Sequence, residues 1–154
     1  MCTMFTQDVL TYIDRSVLCW LATVDAEGHP NVSPKEAFMA YGDAQLLIAN
    51  IASPISARNV SINPKVCVSF VDVFVQKGYK VKGTASLIEP SHEDFALVET
   101  PLLTITQGKF PIQSIFKIQA SSMQPIIAPS YWMFPSTTEK SQIQSAMKTY
   151  GLER

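Results

Sequence analysis

The 154-residue sequence is poor in charge. Asp, Glu, Lys and Arg make up only 16% of it and the formal net charge is −1, whereas charged residues make up about 25% of an average soluble domain. Nucleic-acid binding requires a clustered basic excess, so this class of function has no support, and neither does binding to an anionic membrane surface. The low charge is explained either by uncharged polar side chains at the surface or by a subunit interface that hides apolar surface.

Cysteine and long apolar runs are also scarce. Cys2, Cys19 and Cys67 are odd in number and widely spaced, which argues against a disulfide framework or a C-x-x-C zinc site. We interpret Cys19 and Cys67 as small hydrophobic residues within strands. The first residues lack the pattern of a signal peptide and no run is long enough to cross a membrane, so we expect a cytoplasmic protein. The length is that of one domain, residues 1–154.

Signals for catalysis by protein side chains or metal ions are equally sparse. The two histidines, His29 and His92, fall in a turn and near a helix start, without other ligands at metal-binding spacing, so we expect no metal. The sequence also shows no Ser-His-Asp arrangement and no glycine-rich phosphate loop.

Short β-strands dominate the predicted elements. Apolar runs and turn residues predict strands over 17–24, 30–41, 45–50, 66–75, 78–89 and 114–120. Capping residues and prolines predict helices over 6–15, 54–63, 91–99 and 138–150. Gly28 supplies the positive φ for the first hairpin turn, Pro64 and Pro101 end the second and third helices, and Pro125 begins an irregular segment.

This order of elements predicts a mainly-β fold. The strands outnumber the helices and do not alternate with them, which excludes a doubly wound nucleotide fold. Residues 17–24 and 66–75 are apolar on both faces, which favours a small closed or partly open barrel. We expect about six strands with a few short peripheral helices. The proline-rich tail and last helix, 130–154, would pack on this barrel.

The most informative stretch is the passage from the strand at 45–50 into the helix that begins at Ser53-Pro54. Free amides, the Ser53 and Ser56 hydroxyls and the Arg58 guanidinium can together receive a phosphate at such a helix start. Arg58 and Asn59 also border the inward-facing stripe of this helix. The competing interpretation is an ordinary helix cap with Arg58 extended into solvent.

Three lysines and two aromatic residues each allow two interpretations, ligand binding or an ordinary structural role. Lys80 and Lys82 share one face of a strand, where they would either point at an anionic cofactor or protect a strand edge from aggregation. Lys35 would either contact a bound ligand or remain solvated. Tyr131 and Trp132 in the tail would either stack on a cofactor ring or anchor the tail on the barrel.

Several segments together resemble a known family. They are residues 21–35, Ser53-Pro54, 57–60, Asn63-Pro64-Lys65-Val66 and Lys82-Gly83-Thr84-Ala85. In order and spacing they are similar to the pyridoxamine 5′-phosphate oxidase-like proteins, and most to the branch described as predicted flavin-nucleotide-binding proteins. The resemblance extends over residues 5–129, and its strength lies in the order of the segments since no single motif is diagnostic.

The resemblance implies a Greek-key-like split β-barrel that forms a homodimer and holds FMN in a groove made by both subunits. It places Asn31, Ser33, Pro34 and Lys35 beside the isoalloxazine. It places Ala49, Asn50 and Ile51 along the ring and ribityl chain, and Ser53, Ser56, Arg58 and Asn59 at the phosphate. Relatives often have Lys where this chain has Ser56, so a further cation from Lys77, Lys80 or Lys82 would be needed.

Three functions are compatible with this picture. The first is an FMN-dependent oxidoreductase of unknown substrate, which takes electrons from a small molecule or from NADH or NADPH. The second is a non-catalytic flavin-binding, carrier or electron-transfer module, and the third is a structural homodimer that has lost the cofactor. Haem or a deazaflavin in place of FMN stays open. We do not expect pyridoxamine phosphate oxidation itself. In the resembling enzyme the site for the substrate phosphate needs additional basic residues near the C-terminus, whereas residues 131–150 offer only Lys140 and Lys148.

Overall fold

A computed structural model describes residues 4–152 of the chain. The strands are β1 Cys19–Val24, β2 Pro30–Lys35, β3 Phe38–Tyr41, β4 Gln45–Asn50, β5 Lys65–Asp72, β6 Lys77–Ile88 and β7 Ser114–Ile127. The helices are α1 Gln7–Arg15, α2 Pro54–Ile62, α3 Phe95–Thr106, α4 Ser130–Met133 and α5 Glu139–Thr149. All strand pairs are antiparallel, and the sheet order is β2-β1-β5-β6-β7-β4-β3.

The mainly-β prediction is confirmed, and the sheet is a curled half-barrel of seven strands, consistent with a split barrel. The extra strand arises because the predicted strand 30–41 is two strands. β2 pairs only with β1 and β3 only with β4, so the two edges of the sheet are consecutive in sequence. Glu36 and Ala37 join these edges, and the Ala37 carbonyl accepts a hydrogen bond from the Ala49 amide at 2.9 Å.

Local sequence signals explain most of the helix and turn boundaries. The Thr6 hydroxyl accepts from the Val9 amide and begins α1, as predicted. Pro54 occupies the first turn of α2, and the φ of Gly28 is +88° in the first hairpin turn. Thr138 and Ser141 form a capping box at the start of α5.

Four predictions about helices and strands were wrong. Pro101 lies inside α3, which starts later and extends further than predicted. Pro125 lies inside β7, where the residues past Ala120 pair with β6 but not with β4, so the missing amide costs little. Helix α4 was not predicted. Strand β5 ends at Asp72, before the predicted end, because the Asp72 carboxylate accepts from the Phe74 and Val75 amides in a turn.

Hydrophobic residues fill both sides of the curled sheet. The inner face packs against α1 and α2 through residues such as Leu21, Val68 and Val60. On the outer face, α3 covers β4 and β7, with Leu102 against the cluster that contains Leu47. The outer face of β1 and β2 exposes Trp20, Val32 and Pro34.

Two further observations concern the cysteines and the lengths of the helices. Cys19 is fully buried on the inner face and Cys67 is half-buried on the outer face, so the sheet separates the two thiols. None of the helices between residues 4 and 152 is long and apolar enough to traverse a membrane.

Candidate functional site

A groove of about 760 Å³ lies where the chain crosses from β2 to β3. This volume falls within the usual range for small-molecule sites. Six of the residues predicted to bind a cofactor line it: Ser33, Pro34, Lys35, Ala49, Ile51 and Ser53. The end of β2, the end of β4 and the start of α2 meet here because the curled sheet brings its two edges together.

Lys35 is the unusual residue of this groove. Its side chain lies on the inner face opposite Cys19, and the residue is only 6% exposed. The Nζ atom donates to the Ser53 hydroxyl and lies 5.8 Å from the centre of the Phe116 ring. Among residues 4–152, no carboxylate oxygen lies within 4.0 Å of this ammonium.

The environment of Lys35 favours an anionic ligand. Burial lowers the pKa of Lys35, since an ammonium loses hydration in the protein interior. A buried charge without a counter-charge is costly to the folded protein. An anion or an electron-rich group in the groove would offset that cost.

Asn50 determines where Ser53 lies. Its Nδ2 donates to the Ser114 hydroxyl at 2.9 Å and its Oδ1 accepts from the Ser53 amide at 3.0 Å. Asn50 is 5% exposed and does not line the groove. Its side chain therefore positions the turn into α2 instead of lining the cofactor groove directly.

A buried polar network attaches α2 to the first hairpin. Ser56, 1% exposed, contacts the Ser33 hydroxyl at 3.0 Å and accepts from the Asn31 amide group at 3.3 Å. Asn59, 4% exposed, donates to the Thr23 hydroxyl at 3.1 Å. These side chains satisfy one another, so the predicted phosphate contacts of Ser56 and Asn59 would require this network to open.

Arg58 lies in a second cleft of about 440 Å³, together with Asn31 and Asn59. Arg58 is exposed, whereas its neighbour Asn59 points inward. The two clefts are adjacent along β2, because Ser33 lines the first and Asn31 the second. Residues two apart in a strand lie roughly 7 Å from each other on the same face.

The hairpin turn contributes acidic groups to this second cleft. Asp25, Glu27 and His29 bring potential ligand atoms within 4.8 Å of one another. The expectation that His29 has no carboxylate neighbours was therefore wrong. The Asp25 carboxylate already accepts from the Glu27 and His29 amides at 3.0 and 2.8 Å, which is the pattern of a turn. The Asp25 carboxylate is therefore already engaged in the turn, whereas Glu27 and His29 are exposed.

Lys80 and Lys82 do not line the groove. They lie opposite Ser69 and Cys67 on the outer face of the sheet, whereas Lys35 lies on the inner face. Lys77 pairs with Glu139 at 3.0 Å and lies over the Tyr131 ring. The Tyr131 hydroxyl donates to the Val75 carbonyl, so this aromatic residue anchors the tail on the sheet.

Sequence reasoning missed the mouth of the groove. Val17, Ile105 and Phe110 line it, and they are 76%, 43% and 54% exposed. Because α3 was predicted to end near residue 99, its last turn and the loop that follows it were assigned no role. The run of apolar residues after Pro101 was the signal that could have extended the helix.

A curled antiparallel half-barrel with a groove at its opening is the architecture of the split β-barrel class of proteins. The model of the family described as pyridoxamine 5′-phosphate oxidase matches residues 5–124. The chain belongs to this family. No curated protein matches the chain.

Solved structures share the fold. HupZ from Group A Streptococcus is 24% identical over 81% of this chain and 96% of its own, with a TM-score of 0.69. An FMN-binding protein from Syntrophomonas wolfei is 16% identical over 77% and 86% of the two chains, with a TM-score of 0.64. HutZ, the haem storage protein from Vibrio cholerae, is 25% identical over 78% and 92%, with a TM-score of 0.56.

Proposed function

We propose that this protein binds FMN non-covalently and acts as an FMN-dependent oxidoreductase on a small substrate. The observation that carries the proposal is the buried Lys35 ammonium, which faces a groove of suitable size and has no carboxylate partner within residues 4–152. In this class of protein the flavin supplies the electron chemistry, and the protein binds it, orients it and controls access.

FMN would lie along the edge strand β2. From Lys35 to Asn31 the strand spans roughly 13 Å, so an extended mononucleotide can occupy both clefts. The isoalloxazine would lie in the larger groove beside Lys35, Ala49 and Ile51. The phosphate would lie at Arg58 of α2, in the second cleft.

A homodimer is part of this proposal. The mixed charge around Arg58, with Asp25 and Glu27 in the same cleft, attracts a phosphate weakly, so further cations from a second subunit would help. Lys80 and Lys82 lie on the outer face, where the partner's groove could receive them. That face also exposes Trp20 and Val32, at 45% and 58%, which a subunit interface would bury.

The visible absorption spectrum of the purified protein tests the cofactor. We expect flavin bands near those of free FMN and release of FMN on denaturation. A colourless protein that does not take up added FMN would contradict the proposal. Light scattering would test the dimer, with Trp20→Glu expected to yield monomers, whereas Val73→Glu, at an exposed position in the β5–β6 turn, should leave the dimer intact.

The alternative is a non-catalytic flavin carrier or electron-transfer module. Anaerobic mixing with NADH or NADPH separates the two functions, since reduction of the bound flavin supports an enzyme and its absence supports the module. Haem in place of FMN would give an intense Soret band. Neither His29 nor His92 lines the groove, so no histidine is available there as an axial ligand from the same chain.

A cytoplasmic location completes the proposal. Cys19 and Cys67 lie on opposite faces of the sheet and are free thiols, which suits a reducing compartment.

A further inference from the structure

The groove combines one buried positive charge with apolar walls. Lys35 and Ser53 form its polar floor, and residues with apolar side chains surround them: Val17, Ala37, Ala49, Ile51, Ile105 and Phe110. The other charged residues of the lining, Glu36 and Lys109, are exposed at the rim, where solvent screens them. Charge inside the groove is therefore set mainly by Lys35.

This lining fits a planar ring better than a phosphate group. A phosphate dianion is usually held by several donors, such as helix amides and a bidentate arginine. Ser33, Thr106 and Gln107 also line the groove, but the Ser33 hydroxyl already contacts Ser56 and the Thr106 hydroxyl donates to the Leu103 carbonyl. The Lys35 ammonium therefore faces uncharged side chains, many of them apolar, an arrangement that can cover a ring and still reach one electron-rich edge. Because Lys35 is a buried residue, the field of its ammonium inside the groove is screened less than that of a surface charge.

We propose that Lys35 makes the groove bind two-electron-reduced FMN more tightly than oxidised FMN, and so raises the reduction potential of the bound cofactor. This inference depends on the proposed function. Near neutral pH, oxidised FMN takes up two electrons and one proton from a reductant, and its neutral ring becomes an anion. An ammonium beside the ring stabilises the anion and gives no comparable stabilisation to the neutral ring.

The test compares dissociation constants for oxidised FMN and for FMN reduced with dithionite under anaerobic conditions. For Lys35→Met we expect a change within about threefold for oxidised FMN and a loss of about tenfold for reduced FMN. If the affinity for oxidised FMN is unchanged, a tenfold loss of affinity for reduced FMN lowers the two-electron reduction potential of the bound cofactor by about 30 mV. Lys35→Arg keeps the charge and should retain the preference for reduced FMN. Lys148→Met, at an exposed position of α5 that lines neither cleft, should behave as the wild type.

The other outcomes separate this inference from the proposed function. Equal weakening of both redox forms by Lys35→Met would assign the ammonium to the phosphate and overturn the inference alone. Unchanged binding of both forms would do the same. Wild-type protein that binds neither form would overturn the proposed function and the inference with it. Circular dichroism confirms that each variant folds, and Lys35→Gln replaces Lys35→Met if the latter does not.

Discussion

Asn50 and Ser114 are joined by a buried hydrogen bond of 2.9 Å between the asparagine Nδ2 and the serine hydroxyl. The bond connects the end of β4 to the start of β7, and the Oδ1 of the same asparagine holds the Ser53 amide. One side chain thus couples the sheet to the turn that presents Ser53 to Lys35. On the α2 side, the floor of the groove is therefore attached to the sheet through the Asn50 side chain.

Replacing Asn50 with Ala should destabilise the protein by about 1–3 kcal/mol, because the Ser53 amide and the Ser114 hydroxyl lose their partner. Denaturant unfolding of Asn50→Ala, Ser114→Ala and the double variant measures the effect. We expect a coupling energy of about 1 kcal/mol between the two positions. Strictly additive losses would show that the hydrogen bond contributes nothing.

Arg58 and Asn59 are adjacent on α2 but should behave oppositely on substitution. Asn59→Ala should lower the free energy of unfolding by about 1–3 kcal/mol, since the buried Thr23 hydroxyl loses a donor. Arg58→Ala should leave stability within about 0.5 kcal/mol, because the side chain is exposed, and should weaken FMN binding by about 1–3 kcal/mol through loss of a phosphate contact. Chemical denaturation and FMN titration of both variants give the comparison. Unchanged FMN affinity in Arg58→Ala would show that the phosphate does not bind at Arg58.

The fold was predictable where local sequence signals agree with the tertiary structure. Thr6, Pro54 and Gly28 mark element boundaries through a cap, a first-turn proline and a turn, which depend on few neighbours. The predicted cap by the Ser53 side chain is absent, because its hydroxyl accepts from Lys35 instead. Pro101 was misleading for the opposite reason. In α3 the burial of Val98, Leu102 and Thr106 offsets the one hydrogen bond that the proline removes, and that balance is decided by the sheet beneath the helix.

The candidate site was predictable only in part. Spacing and resemblance singled out the neighbourhood of Lys35 and Ser53, since both lie beside predicted turns. The division of 30–41 into β2 and β3 depends on the curling of the whole sheet, and no local signal marks it. The inward orientation of Ser56 likewise depends on its contacts with Asn31 and Ser33 across 23 or more residues of sequence.

The burial of Lys35 should reduce the stability of the cofactor-free protein. Lys35→Met keeps most of the side-chain volume and removes a buried charge, so we expect the free energy of unfolding at pH 7 to rise by on the order of 1 kcal/mol. Lys109→Met serves as the exposed control and should change little. A lower stability of Lys35→Met would mean that the ammonium and Ser53 stabilise the apo-protein.

Lys35 should also make the free energy of unfolding depend on pH. The pKa of Lys35 in the folded protein lies below its ordinary value of 10.5, so between these two values the unfolded chain binds more protons than the folded one. Stability then rises with pH across that window. The rise should be absent in Lys35→Met when unfolding curves are compared at intervals of one pH unit.

Cys19 pairs with Lys35 across β1 and β2. Its titration should make the free energy of unfolding fall with pH, whereas that of Lys35 makes it rise. Burial raises the pKa of the Cys19 thiol from 9.0 to about 12, so at pH 9–12 the folded protein retains a proton that the unfolded chain has lost. The free energy of unfolding should therefore fall with pH in this range, with a slope of up to about 1.4 kcal/mol per pH unit for one group. Cys19→Ala, compared with its parent in the Lys35→Met background to remove the opposing titration, should flatten that slope even though it lowers stability at neutral pH. Parallel pH profiles for the two proteins would show that the native thiol ionises near its ordinary pKa, and hence that water reaches the inner face beside Lys35.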